Sequence, residues 1–108
     1  MEKAERIRQL NDQFRRSGVG GDILITLGVQ DLGMESVWAI VSEVRHFDDF
    51  NTKNDPYGEH DFGAFDHEEQ RIFWKIDYYD PDTMSGSEDP SVAQVKHRML
   101  TIMLASEY

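Results

Sequence analysis

Arg71-Ile72-Phe73-Trp74-Lys75-Ile76-Asp77-Tyr78-Tyr79 is the stretch from which the fold can be read. Ile72, Trp74, Ile76 and Tyr78 share one parity; Arg71, Phe73, Lys75, Asp77 and Tyr79 share the other. Successive strand side chains point to opposite faces, so the pattern predicts a strand with one face on a core and the other half wet. Just before it, Phe62 to Asp66 reads as a second strand, and His67-Glu68-Glu69-Gln70 as a four-residue hairpin connection. Residues 95–104 are expected to be a third strand. Val95, Met99, Ile102 and Met103 would also suit a helix, but Leu100, Ile102 and Leu104 alternate. A strand there can pair antiparallel with 71–79 across the polar connection Asp80 to Pro90.

Towards the N-terminus the period changes from two to 3.6. Ile7, Leu10 and Phe14 make an apolar stripe over residues 3–16, with Arg6, Arg8, Arg15 and Arg16 expected on other faces. Ser17-Gly18-Val19-Gly20-Gly21 stops that helix, because glycine accepts the left-handed backbone of a helix end. Ile23 to Leu27 follows as a short apolar run, expected to be a strand covered on both faces. A second helix is predicted from Met34 to Phe47, burying Met34, Val37, Trp38, Val41 and Val44, with Ile40 and Phe47 widening the stripe. The periodicity stops from Asp48 to His60, where Asp55-Pro56-Tyr57-Gly58 has the chemistry of a type I turn. The expected fold is α+β: one domain over residues 1–108, in the order α-β-α-β-β-β, with two helices packed on one face of a small antiparallel sheet.

The 108 residues carry 11 Lys or Arg against 21 Asp or Glu, a formal charge of −10. Residues 48–89 alone hold thirteen acidic and three basic side chains, so the whole excess belongs to that segment. This is the wrong sign for a protein that grips nucleic acid through phosphates. It repels membranes too, and attracts cations or basic protein surfaces. There is no Cys, which removes thiolate zinc sites, disulfide scaffolds and cysteine nucleophiles together. No apolar run is long enough to span a bilayer and the N-terminus is not signal-like, so a cytoplasmic location is expected.

Candidate chemistry concentrates in the same acidic segment. Starting at Asp49, an EF-hand register puts Lys53 and Asn54 where a ligand and a glycine belong, and His60 where a bidentate Glu is needed, so the calcium reading fails. Glu59-His60-Asp61 offers an imidazole and two carboxylates for acid–base work or a metal, although neighbours in a strand face opposite ways. The bland reading is that Asp55, Glu59 and His60 hydrogen-bond their own loop. Gly18 to Gly21 precedes a strand, whereas a phosphate-binding glycine loop follows one and opens a helix. No metal or cofactor is expected. A binding surface for a basic partner is drawn from Asp48, Asp49, Asp55, Tyr57, Glu59, Asp61, Phe73, Asp77, Tyr79 and Asp80, aromatic anchors among steering carboxylates.

Asp55-Pro56-Tyr57-Gly58-Glu59-His60-Asp61-Phe62-Gly63, Phe73-Trp74-Lys75-Ile76-Asp77-Tyr78-Tyr79-Asp80 and Leu100-Thr101-Ile102-Met103-Leu104-Ala105 resemble the bacterial domain-of-unknown-function family 3768. Ile7 to Asp12 and Val44 to Asp48 are similar to it as well, and Asp82 to Gln94 matches least, as a variable loop would. The resemblance implies an accessory protein of plasmids and other mobile elements, and assigns no catalytic residue. Three roles follow as expectations: an acidic domain that occupies the basic nucleic-acid-binding surface of a restriction- or CRISPR-type defence complex, an enzyme centred on Glu59, His60 and Asp61, or an accessory domain whose sheet edge pairs with a second copy into a homodimer.

Overall fold

The computed structural model describes residues 2–79 and 97–108. Its elements are helix α1 (Lys3–Ser17), strand β1 (Gly21–Ile25), a single-turn helix α2 (Leu27–Gln30), helix α3 (Met34–His46), strands β2 (Phe62–His67), β3 (Gln70–Tyr79) and β4 (His97–Leu104), and a closing 3-10 turn, Ala105–Glu107. The strands form one sheet in the order β1-β4-β3-β2. Trp74 lies opposite Gly63 on β2 and Ile102 on β4, and both pairings are antiparallel. β1 runs parallel to β4, with Ile23 beside Leu100. The sheet is therefore mixed, which corrects the expected antiparallel one. β4 lies between β1 and β3, and it meets β1 head to head because both run the same way from the same end of the sheet.

The alternation in β3 holds. Ile72, Trp74 and Ile76 are buried with Leu100 and Ile102 of β4, and Phe14, Val29, Ile40 and Val44 from the three helices close over them. All the helices thus cover one face, and the face carrying Phe73, Lys75, Asp77 and Tyr79 stays open. β1 is an edge strand and is not covered on both sides: Ile23 and Ile25 join the core, while Leu24 is 51% exposed. α3 buries a narrower seam than its composition suggests. Ile40 and Val44 are fully buried and Val37, Val41 and Phe47 flank them, but Met34 and Trp38 (66% exposed) point outward. Trp38 lies about a third of a turn from that seam at 100° per residue, too far to reach the sheet.

Two turns position the loop between α3 and β2. Gly18, at φ 76°, donates its N–H to Phe14 O at 2.7 Å and ends α1 as expected. The Asp55–Gly58 turn closes with Gly58 N–H donating to Asp55 O at 3.1 Å. The β2–β3 hairpin is tighter than the four residues expected. Strand pairing reaches His67 and Gln70, leaving Glu68 and Glu69 at φ 46° and 70°. Those signs are the I′ pattern, whose twist matches that of the strands. The connection Asp80 to Pro90 and Val95 lie outside the described residues.

Candidate functional site

Residues 48–61 contain no helix or strand, yet one face of α1 holds them. Arg8, Asn11, Asp12 and Arg15 fall at i, i+3, i+4 and i+7, a single polar stripe beside the apolar one. Arg8 Nη1 donates to Gly58 O at 3.3 Å, and Asn11 Nδ2 donates to Glu59 O at 3.0 Å. Asn11 is fully buried; it also donates to the Tyr78 hydroxyl at 2.8 Å and accepts from Arg98 Nε at 2.8 Å. Burial pushes the Tyr78 hydroxyl up to about 12, so it stays neutral at that contact. The Asp12 carboxylate accepts from His60 Nδ1 at 2.9 Å.

Arg15, expected on an outer face of α1, is instead fully buried. Its Nη1 donates to Val44 O at 2.7 Å, Phe47 O at 3.0 Å and Arg45 O at 3.3 Å, carbonyls at the C-terminal end of α3, of which Val44 O also accepts from Phe47 N–H at 3.3 Å. Its Nη2 pairs with Asp12 at 3.0 Å, and the guanidinium carbon sits 5.1 Å from the Trp74 ring centroid and 5.6 Å from that of Phe50. Burial pulls the guanidinium below its ordinary value, and Asp12 opposes that pull.

Inside the loop, Asp55 Oδ1 accepts from the N–H groups of Glu59 and His60, each at 3.1 Å. Asn51 Oδ1 accepts from Lys53 and Asn54 N–H, and Asn54 Nδ2 donates to Asp49 O at 2.7 Å. The His60 ring stacks on Phe50 with centroids 3.7 Å apart, and its Nε2 lies 3.5 Å from Asp55 Oδ2. His60 takes φ 54°, a left-handed conformation that costs a non-glycine residue and is held here by contacts on both sides of the ring.

The expected site residues fall into two places. Asp48, Asp49, Asp55, Tyr57, Glu59, His60 and Asp61 belong to the pinned loop. Tyr57 is 78% exposed at its turn, and Asp48 and Asp49 are exposed at the start of the loop. Phe73, Asp77 and Tyr79 lie on the open face of the sheet. There Phe73 packs edge-on against Phe62 and Tyr108, Asp77 pairs with Lys75 at 2.9 Å, and Tyr79 lines a shallow groove of about 540 Å³ with Leu24, Met99 and Met103. Asp80 lies outside the described residues. Charge links the two places. Burial, with Asp55 and Asp77 nearby, raises the Asp61 carboxyl above its usual range; burial, with Asp61 and Asp55, raises that of Glu59.

The side chains of the three residues read as one catalytic candidate have different partners. His60 is taken up by Asp12 and Asp55, and Asp61 uses its backbone carbonyl to accept from Ile76 N–H at 2.8 Å. Among the described residues no group of three His, Asp or Glu side chains has the geometry to hold a metal ion. The bland reading of Asp55 is correct in detail, whereas His60 reaches out of its loop to α1. Asp12 and Arg15 escaped the sequence analysis; their signal was the polar i, i+3, i+4, i+7 stripe next to Ile7 and Phe14.

Residues 25–107 match the model of a protein family of unknown function, DUF3768, and the chain belongs to that family. The matched region contains the whole loop and leaves out α1, the helix that holds it. Neither a curated protein nor a solved structure matches the chain.

Proposed function

We propose that this chain is a protein-binding module whose loop at 48–61 presents carboxylates and Tyr57 to a basic partner surface, in the manner of an inhibitor that stands in for nucleic-acid phosphates. One observation carries the reading: a loop with no regular structure is fixed to α1 by Arg8, Asn11 and Asp12, with the Arg15 guanidinium against its Phe50 ring, while Tyr57, Asp48 and Asp49 stay outside. Preorganised loops bind at lower entropic cost, and tyrosine is among the residues most often found as hot spots. The raised carboxyls of Glu59 and Asp61 add to it, since a cation from a partner would relieve their mutual repulsion. The working picture is a cytoplasmic accessory protein of a mobile element that blocks a restriction or CRISPR-type complex.

The test is displacement of a fluorescent duplex from a panel of purified defence complexes of these types, at low and high salt. Wild type should displace it in a salt-sensitive way. Tyr57→Ala should weaken displacement by roughly thirtyfold, the effect of about 2 kcal/mol at a hot spot. Asp48→Lys with Asp49→Lys should slow association. Salt-independent behaviour, or no displacement across the panel, refutes the reading.

A second reading, acid–base chemistry at His60, draws on the Asp12 contact, since a carboxylate on Nδ1 orients an imidazole for proton transfer. It requires a substrate to displace Asp55 from Nε2. Activity that survives His60→Ala would end it.

A further inference from the structure

Among the described residues β1 is one of the two edges of the sheet, and the backbone shows which of its groups turn away from β4. Thr26 N–H donates to Ile102 O at 3.1 Å, so the even-numbered residues of this parallel strand turn their N–H and C=O groups towards β4. Gly21, Ile23 and Ile25 therefore turn theirs outward. The Ile25 carbonyl accordingly accepts from the side chain of Gln30, at 2.6 Å, and not from a strand. Around this edge stand three of the most exposed apolar side chains of the described residues, Val19 (76%), Leu24 and Leu27 (75%). From Ser17 to Gln30 the only charged residue is Asp22. None of the usual guards of an edge strand, a lysine, a proline or a bulge, is present in Gly21–Ile25.

We propose that β1 pairs antiparallel with β1 of a second copy about a two-fold axis at Ile23, joining the two sheets into one. The strand is self-complementary in that register. Ile23 faces its own copy and the two exchange both hydrogen bonds, and Gly21 faces Ile25 of the second copy, whose carbonyl would take the Gly21 N–H in place of, or beside, the exposed Gln30 side chain. On the open face Leu24 faces Asp22 of the second copy, so no like charges meet. Charge also selects this edge over the other one. β2 lies in the acidic segment beside Asp66, Glu68 and Glu69, and two copies at −10 each would repel there. The β1 edge is the apolar end of the molecule. Pairing through it leaves both 48–61 loops outside the joined sheets, so the proposal does not depend on what those loops bind.

The test is the mass of the full chain by light scattering after gel filtration, over a range of concentrations. Wild type should run at twice 12.5 kDa. L24E places a carboxylate opposite Asp22 of the second copy at two symmetric positions and should weaken the dimer at least about tenfold. Adding D22K to L24E should restore it, because the new cation then faces the new carboxylate. Amide exchange on the wild-type protein gives a check that needs no variant: the Ile23 amide should be protected at dimer concentrations and open on dilution. A monomeric wild type with a freely exchanging Ile23 amide overturns the proposal. A dimer untouched by L24E overturns this edge. Asp22 also pairs with His97 of its own chain, so D22K alone is the control: failure of the double variant to recover while D22K alone still dimerises overturns the register.

Discussion

Removing the Arg15 guanidinium should cost about as much as any single change in this protein. Arg15→Ala takes the guanidinium donor from the carbonyls of Arg45 and Phe47, leaves Val44 O only its bond from Phe47 N–H, and removes the arginine partner of Asp12, all around a side chain that is itself fully buried. A hydrogen bond to a charged group is worth roughly 1.5–3 kcal/mol, and removing one partner of a buried ion pair costs about 3–5 kcal/mol. These contacts share one side chain and do not add, so about 3–5 kcal/mol is the expected loss, against a total stability of order 5–15 kcal/mol. Near 100 residues this corresponds to a fall in Tm of roughly 12–20 °C. Urea unfolding followed by Trp74 fluorescence reads the first figure and calorimetry the second. Arg15→Lys should lie between the two, because a compact ammonium cannot bridge the end of α3 and Asp12 at once. The same variant should free the amides of Glu59 and His60, which Asp55 protects only while the loop is seated. A midpoint within about 1 kcal/mol of wild type for Arg15→Ala, with those amides still protected, would refute the account of how the loop is held.

Gly63→Ala would drive a methyl group into the Trp74 indole, which lies against the bare glycine, and should destabilise by about 1–3 kcal/mol or more in urea unfolding. Trp38→Ala should stay within about 0.5 kcal/mol of wild type in the same assay, since that indole stands in water. Two carboxylates should act with opposite sign on pH. Glu107 accepts from Thr26 Oγ1 and from the N–H groups of Leu104 and Gly28, which lower its pKa; its contribution holds above the unfolded carboxyl value and is lost as pH falls through the folded one. Glu107→Gln should therefore lower Tm at pH 7, with the difference from wild type vanishing in acid. Asp61 is raised, so its contribution is complete below the unfolded value near 4 and disappears as pH rises through the folded one; Asp61→Asn should hold or raise Tm at pH 7, with the gain shrinking towards pH 4.

Local periodicity carried most of this fold. α1, α3 and the β3 alternation follow from spacing alone, and Gly18 and the Asp55–Gly58 turn from backbone chemistry. What escaped has physical causes. The parallel β1–β4 pair joins Gly21 to Arg98, and no local pattern reports so distant a contact. The hairpin turns on Glu68-Glu69, where the strained left-handed backbone would ordinarily be announced by Asn or Gly. Helical spacing puts Trp38 in one stripe with Met34, Val37 and Val41, yet it lies outside because α3 meets the sheet along Ile40 and Val44 instead. At the site, the acidic loop was legible from composition. Its anchors were not, because a buried arginine such as Arg15 has the same spelling as a solvated one and is revealed only by the carbonyls it meets.

The position of β4 bears on the order in which the protein assembles. β4 is an interior strand of the sheet and is synthesised after every strand it joins, its neighbour β1 being made before the other three. The β2–β3 hairpin can close early on its two-residue turn. β1 has no strand to lie against until residues 97–104 are made, and the apolar sides of Ile23, Ile72, Trp74 and Ile76 wait with it. Such distant pairings are slow to form and leave sticky edges in the meantime. A ribosome stalled before residue 97 would release a chain without the middle of its sheet, a natural substrate for chaperones and proteases. Completion of the sheet is thereby deferred until residues 97–104 have been made.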